Sequence, residues 1–218
     1  LAESIFLDLF GDAASKGWPV TDIASIANPV PGSIRTGPFG SQLLHSEFTS
    51  DGIAVLGIDN VVANEFRWGE RRFISEAKYH ELRRYTVHPG DVLITIMGTC
   101  GRCAVVPEDV PLAINTKHLC CITLDRSKCR PTFLHAYFRQ HPIARRYLSR
   151  SAKGAIMAGL NMEIIKAMPV ALPPIELQRE FTRRAAAVEG AKTKQHASLA
   201  ELDALFASLQ HRAFRGEL

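Results

Sequence analysis

Residues 172–218 read LPPIELQREFTRRAAAVEGAKTKQHASLAELDALFASLQHRAFRGEL, and this stretch decides the fold. After its two prolines, one line of mostly apolar side chains recurs at alternating steps of four and three residues, the repeat of a coiled coil. We call this line the seam; its members are Phe181, Ala185, Val188, Lys192, Gln195, Leu199, Leu202, Phe206, Leu209 and Ala213. The pattern predicts a helix over residues 175–212, about 57 Å long at about 1.5 Å per residue. A seam of that length requires a second helix to cover it.

The composition of this helix marks its start and its weak centre. Pro173 and Pro174 lack the backbone N–H that would continue a preceding helix, and proline favours a first helical turn. Gly190 costs a helix about 1 kcal/mol relative to Ala, and two polar residues stand in the seam close to it. The residues predicted to contact the second helix are Phe181, Val188, Leu199, Leu202, Phe206 and Leu209.

The N-terminus predicts a short helix over Ala2–Phe10, ended by Gly11. Nine residues are fewer than the roughly 12 to 15 that an isolated helix needs in water. We therefore expect this helix to dock, and the long C-terminal helix is the candidate surface.

Between these helices the sequence indicates a β-rich region followed by short helices. Strand-like runs bounded by glycine and proline cover 53–58, 73–74, 91–97, 103–106 and 118–124, with one helix at 75–84. After Pro131 the apolar spacing becomes helical and predicts two helices, a small-residue loop at 151–160, a brief helix at 162–167 and a strand at 168–172. The predicted fold class is α+β, a β-rich domain with short helices followed by a long coiled-coil helix.

Composition excludes some classes of function and favours others. With 46% hydrophobic and 22% charged residues the chain is typical of a globular protein. Its apolar runs are much shorter than the roughly 18 residues of a membrane span, so no membrane partner is expected. Residues 126–153 hold eight Lys and Arg and no acidic residue. Such a segment favours a polyanion, or else belongs to two solvated helices whose acidic partners lie elsewhere in the fold.

The sequence offers little for catalysis. It contains no glycine-rich cofactor turn and no phosphate loop, so we expect no catalytic residue and no cofactor. Cys100 and Cys103 could join His118 and one of the adjacent Cys120 and Cys121 in a zinc site, but no second spaced pair exists, and we predict no metal. Five cysteines do not form a disulfide framework, which favours a reducing cytoplasm.

Several loops carry residue types suited to DNA contact. The glycine-rich segment after Arg35 allows close backbone approach and supplies hydroxyl and amide groups for phosphates or base edges. The candidates there are Arg35, Thr36, Phe39, Ser41 and Gln42. Further candidates are Arg102 and Lys117 near strand ends, and Arg150 and Lys153 in the basic segment. The same glycines would also serve a purely structural turn.

Five motifs in order resemble those of the specificity subunits of type I restriction-modification systems. They are TGPFGS at 36–41, GDVL at 90–93, GTCGR at 98–102, LPPIELQ at 172–178 and LQHRAFRGEL at 209–218. The resemblance covers almost the whole chain, and the Leu-Pro-Pro entry into a long helix is its most specific element. The Cys100 and Cys103 pair is not part of that family's pattern.

The resemblance implies a division of the chain and a set of partners. Residues 1–12 would be the end of a preceding spacer helix, 13–172 a DNA target recognition domain, and 173–218 a long spacer helix. In the family, such a domain reads one half of a bipartite site on double-stranded DNA, two antiparallel helices set the gap, and modification (methyltransferase) and restriction subunits do the chemistry. A full subunit has two recognition domains, so this chain would be a fragment or a half-subunit that forms a homodimer through the long helix.

Other functions stay open at the level of the sequence. The chain could be the recognition domain of a single-chain restriction-methylation enzyme, or a coiled-coil interaction scaffold without a DNA role, and a zinc enzyme is a more distant alternative. The basic segment argues against the scaffold.

Overall fold

The computed structural model describes residues 1–11, 16–153 and 159–216, the last two residues of the middle range by their backbone alone. Its helices are α1 (Ala2–Phe10), α2 (Ile23–Ile26), α3 (Glu76–Leu82), α4 (Pro131–Gln140), α5 (Pro142–Lys153), α6 (Met162–Lys166) and α7 (Ile175–Phe214). Together with the strands they confirm the predicted α+β class with a long C-terminal helix. Of these helices none is both long enough and apolar enough to cross a membrane.

The strands form two larger sheets and one small one. The four-stranded sheet has the order β2 (Ile34–Thr36), β10 (Leu119–Ile122), β7 (Val92–Thr95) and β8 (Cys103–Val105), and all its pairs are antiparallel. The five-stranded sheet has the order β3 (Phe48–Thr49), β5 (Phe73–Ile74), β4 (Ile53–Leu56), β9 (Ala113–Asn115) and β6 (Thr86–Val87), with β4 and β9 parallel. A third sheet pairs β1 (Val20–Asp22) with β11 (Pro169–Ala171).

The four-stranded sheet is the middle layer of the molecule. Alternate residues of β7 face different cores, because Val92 and Ile94 pack with the helices whereas Leu93 packs with the five-stranded sheet. Cys120 and Cys121 on β10 divide in the same way, as their adjacency predicted. Burial on both faces explains why these central strands are apolar without alternation.

The structure departs from the sequence prediction in several segments. The strand β2 occupies residues assigned to the start of a loop, and the pair β1 and β11 brings residue 20 beside residue 171. Helix α5 extends to Lys153, inside the segment predicted as a loop from 151 to 160; residues 154–158 of that segment lie outside the described ranges. Helix α7 ends two residues beyond the predicted 212.

Helix α1 docks on α7, as predicted. The Phe6 and Phe10 rings meet the Phe181 ring edge-on, at centroid distances of 5.6 Å and 5.5 Å, and all three are buried. Residues at the start of α1 line one depression together with Ala185 and Lys192, farther along α7, which indicates that the two helices run in opposite directions. Aromatic burial in this cluster supplies the docking energy that a nine-residue helix lacks by itself.

The first turn of α7 is fixed by Gln178, which is fully buried. Its carboxamide accepts a hydrogen bond from the backbone N–H of Arg130 at 2.9 Å and donates to the carbonyls of Lys128 at 3.1 Å and Pro173 at 2.9 Å. One side chain thus ties the start of α7 to the turn that precedes α4. The direction in which α7 leaves the core is set by this contact and by Phe181.

Beyond this anchor, α7 leaves the rest of the described chain. Val188 is half-buried, and from residue 189 to 216 every residue is exposed. The seam residues Leu199, Leu202, Phe206 and Leu209 remain 40–62% accessible to solvent. A contiguous apolar face of this kind is typical of a surface that a partner covers.

Candidate nucleic-acid interface

Three loops meet at one end of the four-stranded sheet, which we call the loop end. Thr36 pairs with Cys120, and Thr95 pairs with Leu119. Because β10 runs antiparallel to both β2 and β7, these two strands end beside the start of β10. The loop end therefore consists of the segments 37–47, 96–102 and 116–118.

Close backbone packing forms the base of the loop end. Any Cβ at Gly37 would overlap the backbone of Asn115 and Thr116, so only glycine fits there. The Asn115 amide donates to the carbonyl of Leu119 at 2.9 Å and holds the turn between β9 and β10. Asn115 was not predicted from the sequence, because a single asparagine after a short strand gives no recognisable signal.

The hairpin between β7 and β8 presents Arg102 to solvent. Gly98 and Gly101 adopt positive φ angles of 72° and 84°, which allow the chain to reverse. Thr95 accepts a hydrogen bond at its hydroxyl from the Arg102 backbone N–H at 2.9 Å and donates to the Thr99 carbonyl, so the hairpin is tied at its base. The Arg102 residue itself is exposed.

The loop after β2 exposes three of the predicted DNA-binding residues. Phe39 is 47% accessible, and Ser41 and Gln42 are exposed beside it. The Gln42 side-chain oxygen accepts from the Phe39 backbone N–H at 3.0 Å and from the Tyr85 hydroxyl at 2.9 Å. Gln42 therefore shapes the loop that presents Phe39.

Thr36 and Lys117 lie at the edge of the loop end and are half-buried. Thr36 ends β2, where its backbone faces Cys120. Lys117 adjoins His118, and burial, helped by the positive charges of Lys117 and Arg72, lowers the pKa of His118 from its ordinary value of 6.5. The electrostatic potential at this edge is therefore positive, and the lowered pKa favours the neutral form of His118.

Arg35 is not available for DNA, and its prediction as a binding residue is wrong. The side chain is buried, and its guanidinium donates to Asp91 at 2.7 Å, to the Thr123 hydroxyl at 2.9 Å and to the carbonyls of Gly32 and Thr86. Asp91 also accepts from the His88 N–H and the hydroxyl of Thr123. Arg35 and Asp91 form a buried ion pair with satisfied hydrogen bonds, and the bond from Arg35 to the Thr86 carbonyl on β6 links the four-stranded sheet to the five-stranded one.

The two candidates from the basic segment lie on α5. Arg150 is exposed and lines a depression of about 380 Å³ with Arg146, Tyr147 and Pro169, separate from the surface next to Arg102. Lys153 ends α5, and its side chain lies outside the described part of the chain.

The cysteines serve packing. Cys103, Cys120, Cys121 and Cys129 are buried, and burial raises the pKa of the Cys120 thiol to about 12, which keeps it protonated. Cys100 donates from Sγ to the carbonyl of Ile96 at 3.2 Å. Within the described ranges, no group of three or more His, Cys, Asp or Glu side chains is arranged to hold a metal ion.

Known proteins with similar sequences belong to one class. The chain is 30% identical over 172 residues to the type I restriction enzyme EcoBI specificity subunit of Escherichia coli, a match over 77% of this chain and 36% of that protein. It is 27% identical over 179 residues to the EcoKI specificity subunit of Escherichia coli strain K12, over 77% and 38% of the two chains. No family model matches.

Solved structures show the same fold at low sequence identity. The HsdS subunit of Thermoanaerobacter tengcongensis superposes with a TM-score of 0.58 at 15% identity, over 100% of this chain and 50% of that one. The S subunit of a type I restriction-modification system from M. genitalium gives 0.58 at 14% identity, over 94% and 50%. A chain from a structure of type I system assembly and conformational transition gives 0.57 at 18% identity, over 100% and 53%.

This chain spans little more than a third of each curated relative and about half of each solved chain. Sequence similarity and fold lead to the same family, and the chain belongs to the specificity subunits of type I restriction enzymes.

Proposed function

We propose that this chain recognises one half of a bipartite site on double-stranded DNA for a type I restriction-modification enzyme. The observation that carries the proposal is the loop end, where three loops expose Arg102 and Phe39 beside Lys117 in a chain related to specificity subunits. That relationship favours this function over a recognition domain of a single-chain restriction-methylation enzyme.

The residues at the loop end divide by chemistry into two groups. Arg102 and Lys117 carry charge suited to phosphates, which position a protein on DNA without reading its sequence. Ser41 and Gln42 offer hydroxyl and amide groups suited to base edges, and the exposed ring of Phe39 offers an apolar contact.

We assign the exposed seam of α7 to a second, antiparallel helix. Helix α1 already runs antiparallel to α7 and covers its first turns, so a helix that continues the path of α1 would lie along Leu199, Leu202, Phe206 and Leu209. The corresponding helix of another half, or of a second copy in a homodimer, has the required seam. With 40 residues, α7 is about 60 Å long, and paired helices of that length act as a spacer between two half-sites.

In this proposal the chain catalyses nothing itself. Modification (methyltransferase) and restriction subunits perform the reactions, and the chain binds them and the DNA in the cytoplasm. The similarity to a chain from a type I assembly structure supports these partners.

Binding to labelled duplex DNA, measured by fluorescence anisotropy across a salt titration, tests the DNA role. We expect weak, steeply salt-dependent binding, and an Arg102→Ala, Lys117→Ala variant should lower both affinity and salt slope. The matched control is Arg179→Ala, which removes an exposed arginine already paired with Glu176 on α7. An affinity of the parent chain that stays flat with salt would contradict the proposal and favour the scaffold.

Shortening the spacer tests the role of α7. Deletion of residues 195–201 removes one heptad, keeps the seam in register and shortens the helix by about 10 Å, the length of about 3 base pairs. In the assembled enzyme we expect the same half-sites with a gap about 3 base pairs shorter. An unchanged gap would contradict the spacer.

A further inference from the structure

A cleft beside the loop end is lined by arginines from three separate elements. Arg102 follows the β7–β8 hairpin, Arg139 lies in the last turn of α4, and Arg145 lies on α5. The cleft has a volume of about 450 Å³, and Thr99 and Ser149 add hydroxyl groups to its wall. We call it the arginine cleft.

The cleft carries positive charge that the fold does not neutralise. All three arginines are exposed, and in the described part of the chain none of them forms an ion pair with a carboxylate. Glu3, on α1, is the one acidic residue among the described residues of the lining. Elsewhere the chain pairs its cations readily, as Arg183 and Arg184 do with Glu180.

One half-buried contact fixes two of the arginines relative to each other. His135 on α4 bonds through Nε2 to the carbonyls of Asn64 at 2.9 Å and Cys103 at 3.2 Å. Arg102 directly precedes Cys103, and Arg139 follows His135 by one helical turn, so this contact holds both cations at the cleft. The pKa of Cys103 reflects their proximity, because burial raises it to about 12 while the charges of Arg139 and Arg102 oppose the rise.

Three like charges held on rigid elements repel one another, and a bound anion would relieve that repulsion. Guanidinium groups bind phosphate oxygens through paired N–H donors, and the neighbouring hydroxyls can supply further donors. Two side-chain amides also line the walls, but the Oδ1 of Asn64 accepts from the Cys103 backbone N–H at 3.3 Å and the Oε1 of Gln140 is buried, so neither offers a free acceptor for a base edge. The chemistry therefore suits a phosphate backbone.

We propose that the arginine cleft binds the phosphodiester backbone of the same duplex that the loop end reads. This inference rests on the proposed DNA function and adds Arg139 and Arg145 to the residues that contact it. The cleft orients the duplex without reading its sequence, since it engages phosphates alone.

The test uses the full chain carrying Arg139→Gln and Arg145→Gln, titrated with duplexes of several sequences by fluorescence anisotropy. We expect affinity to fall by the same factor for every duplex. The slope of log affinity against log salt should become shallower by about 1.8, because each of the two lost phosphate contacts contributes about 0.9. Between about 50 and about 200 mM salt, the loss of affinity should be about twelvefold smaller than in the parent chain.

Two control variants separate a local contact from total charge and from folding. Arg179→Gln, Arg183→Gln makes the same change in charge on α7, where both arginines are paired with glutamates, and should leave the slope nearly unchanged. Glu3→Gln removes the carboxylate from the cleft and should raise affinity for every duplex, an increase that misfolding cannot produce.

The possible results separate the two proposals. If the parent chain binds DNA but the cleft variant keeps its affinity and slope, the cleft inference is wrong and the DNA function stands. A loss of discrimination among sequences would also overturn it, because the cleft would then read bases. Absence of duplex binding by the parent chain at low salt would overturn both.

Discussion

Replacing Phe181 by Ala tests whether the first part of α7 belongs to the core. Phe181 is 2% exposed and meets two other phenylalanine rings edge-on, so its removal leaves a cavity between α1 and α7. Removal of a buried Phe side chain costs about 3–5 kcal/mol. At this chain length each kcal/mol lowers the melting temperature by about 2–4 °C, so the loss corresponds to a decrease of about 6–20 °C.

Phe206→Ala is the matched control, because Phe206 lies in the same seam of the same helix and is 62% exposed. Circular dichroism melts at low protein concentration should show a change within about 0.5 kcal/mol for this variant. At high concentration Phe206→Ala should weaken the proposed helix pairing, which sedimentation velocity measures. Equal destabilisation by the two substitutions in dilute solution would refute the division of α7 into a buried and an unpartnered part.

The buried polar side chains supply three other tests. Gln178→Leu removes the partner of three backbone groups, one of them in a fully buried hydrogen bond, and urea titration should show a loss of about 2–5 kcal/mol, against less than about 0.5 for the exposed Gln195→Leu. Asp91→Ala leaves Arg35 buried and uncompensated and should cost about 3–5 kcal/mol, part of which Arg35→Met should restore in the double variant. Burial lowers the pKa of His141 from its ordinary value of 6.5, so the unfolded chain takes up the proton first and stability falls as the pH drops below about 6.5. His141→Phe should flatten that dependence in unfolding midpoints measured from about pH 5 to about pH 7.5.

The sequence predicted the helices well because their signals are local. Proline entry, a seam at steps of four and three, and a glycine after the end determine α7 within a few residues. The need of α1 for a docking surface followed from its length, and Phe181 supplies that surface. In each case the evidence lies within the segment itself or in an elementary limit on helix stability.

Partners distant in the chain could not be predicted in the same way. Arg35 adjoins a glycine-rich segment and looked like a loop cation, but its carboxylate partner is Asp91, 56 residues away. Gln178 looked like an ordinary residue of a first helical turn, although its three hydrogen bonds anchor α7. Arg139 and Arg145 were visible in the basic segment, but their proximity to Arg102 was not. That proximity depends on how α4 packs against β8, which the sequence does not reveal.

The anchor of α7 decides whether its length can set a distance on DNA. A flexible joint at residue 174 would let the helix point in many directions, and its 40 residues would then fix no separation. Gln178 ties the first turn to the segment before α4, and Phe181 packs the second turn into the aromatic cluster. The same core contains residues of β7 and β10, and the loop end lies at one end of these two strands. Since rigid packing joins the loop end to the start of the seam, we expect a change in seam length to move the proposed partner helix relative to the loops by a defined step of about 1.5 Å per residue.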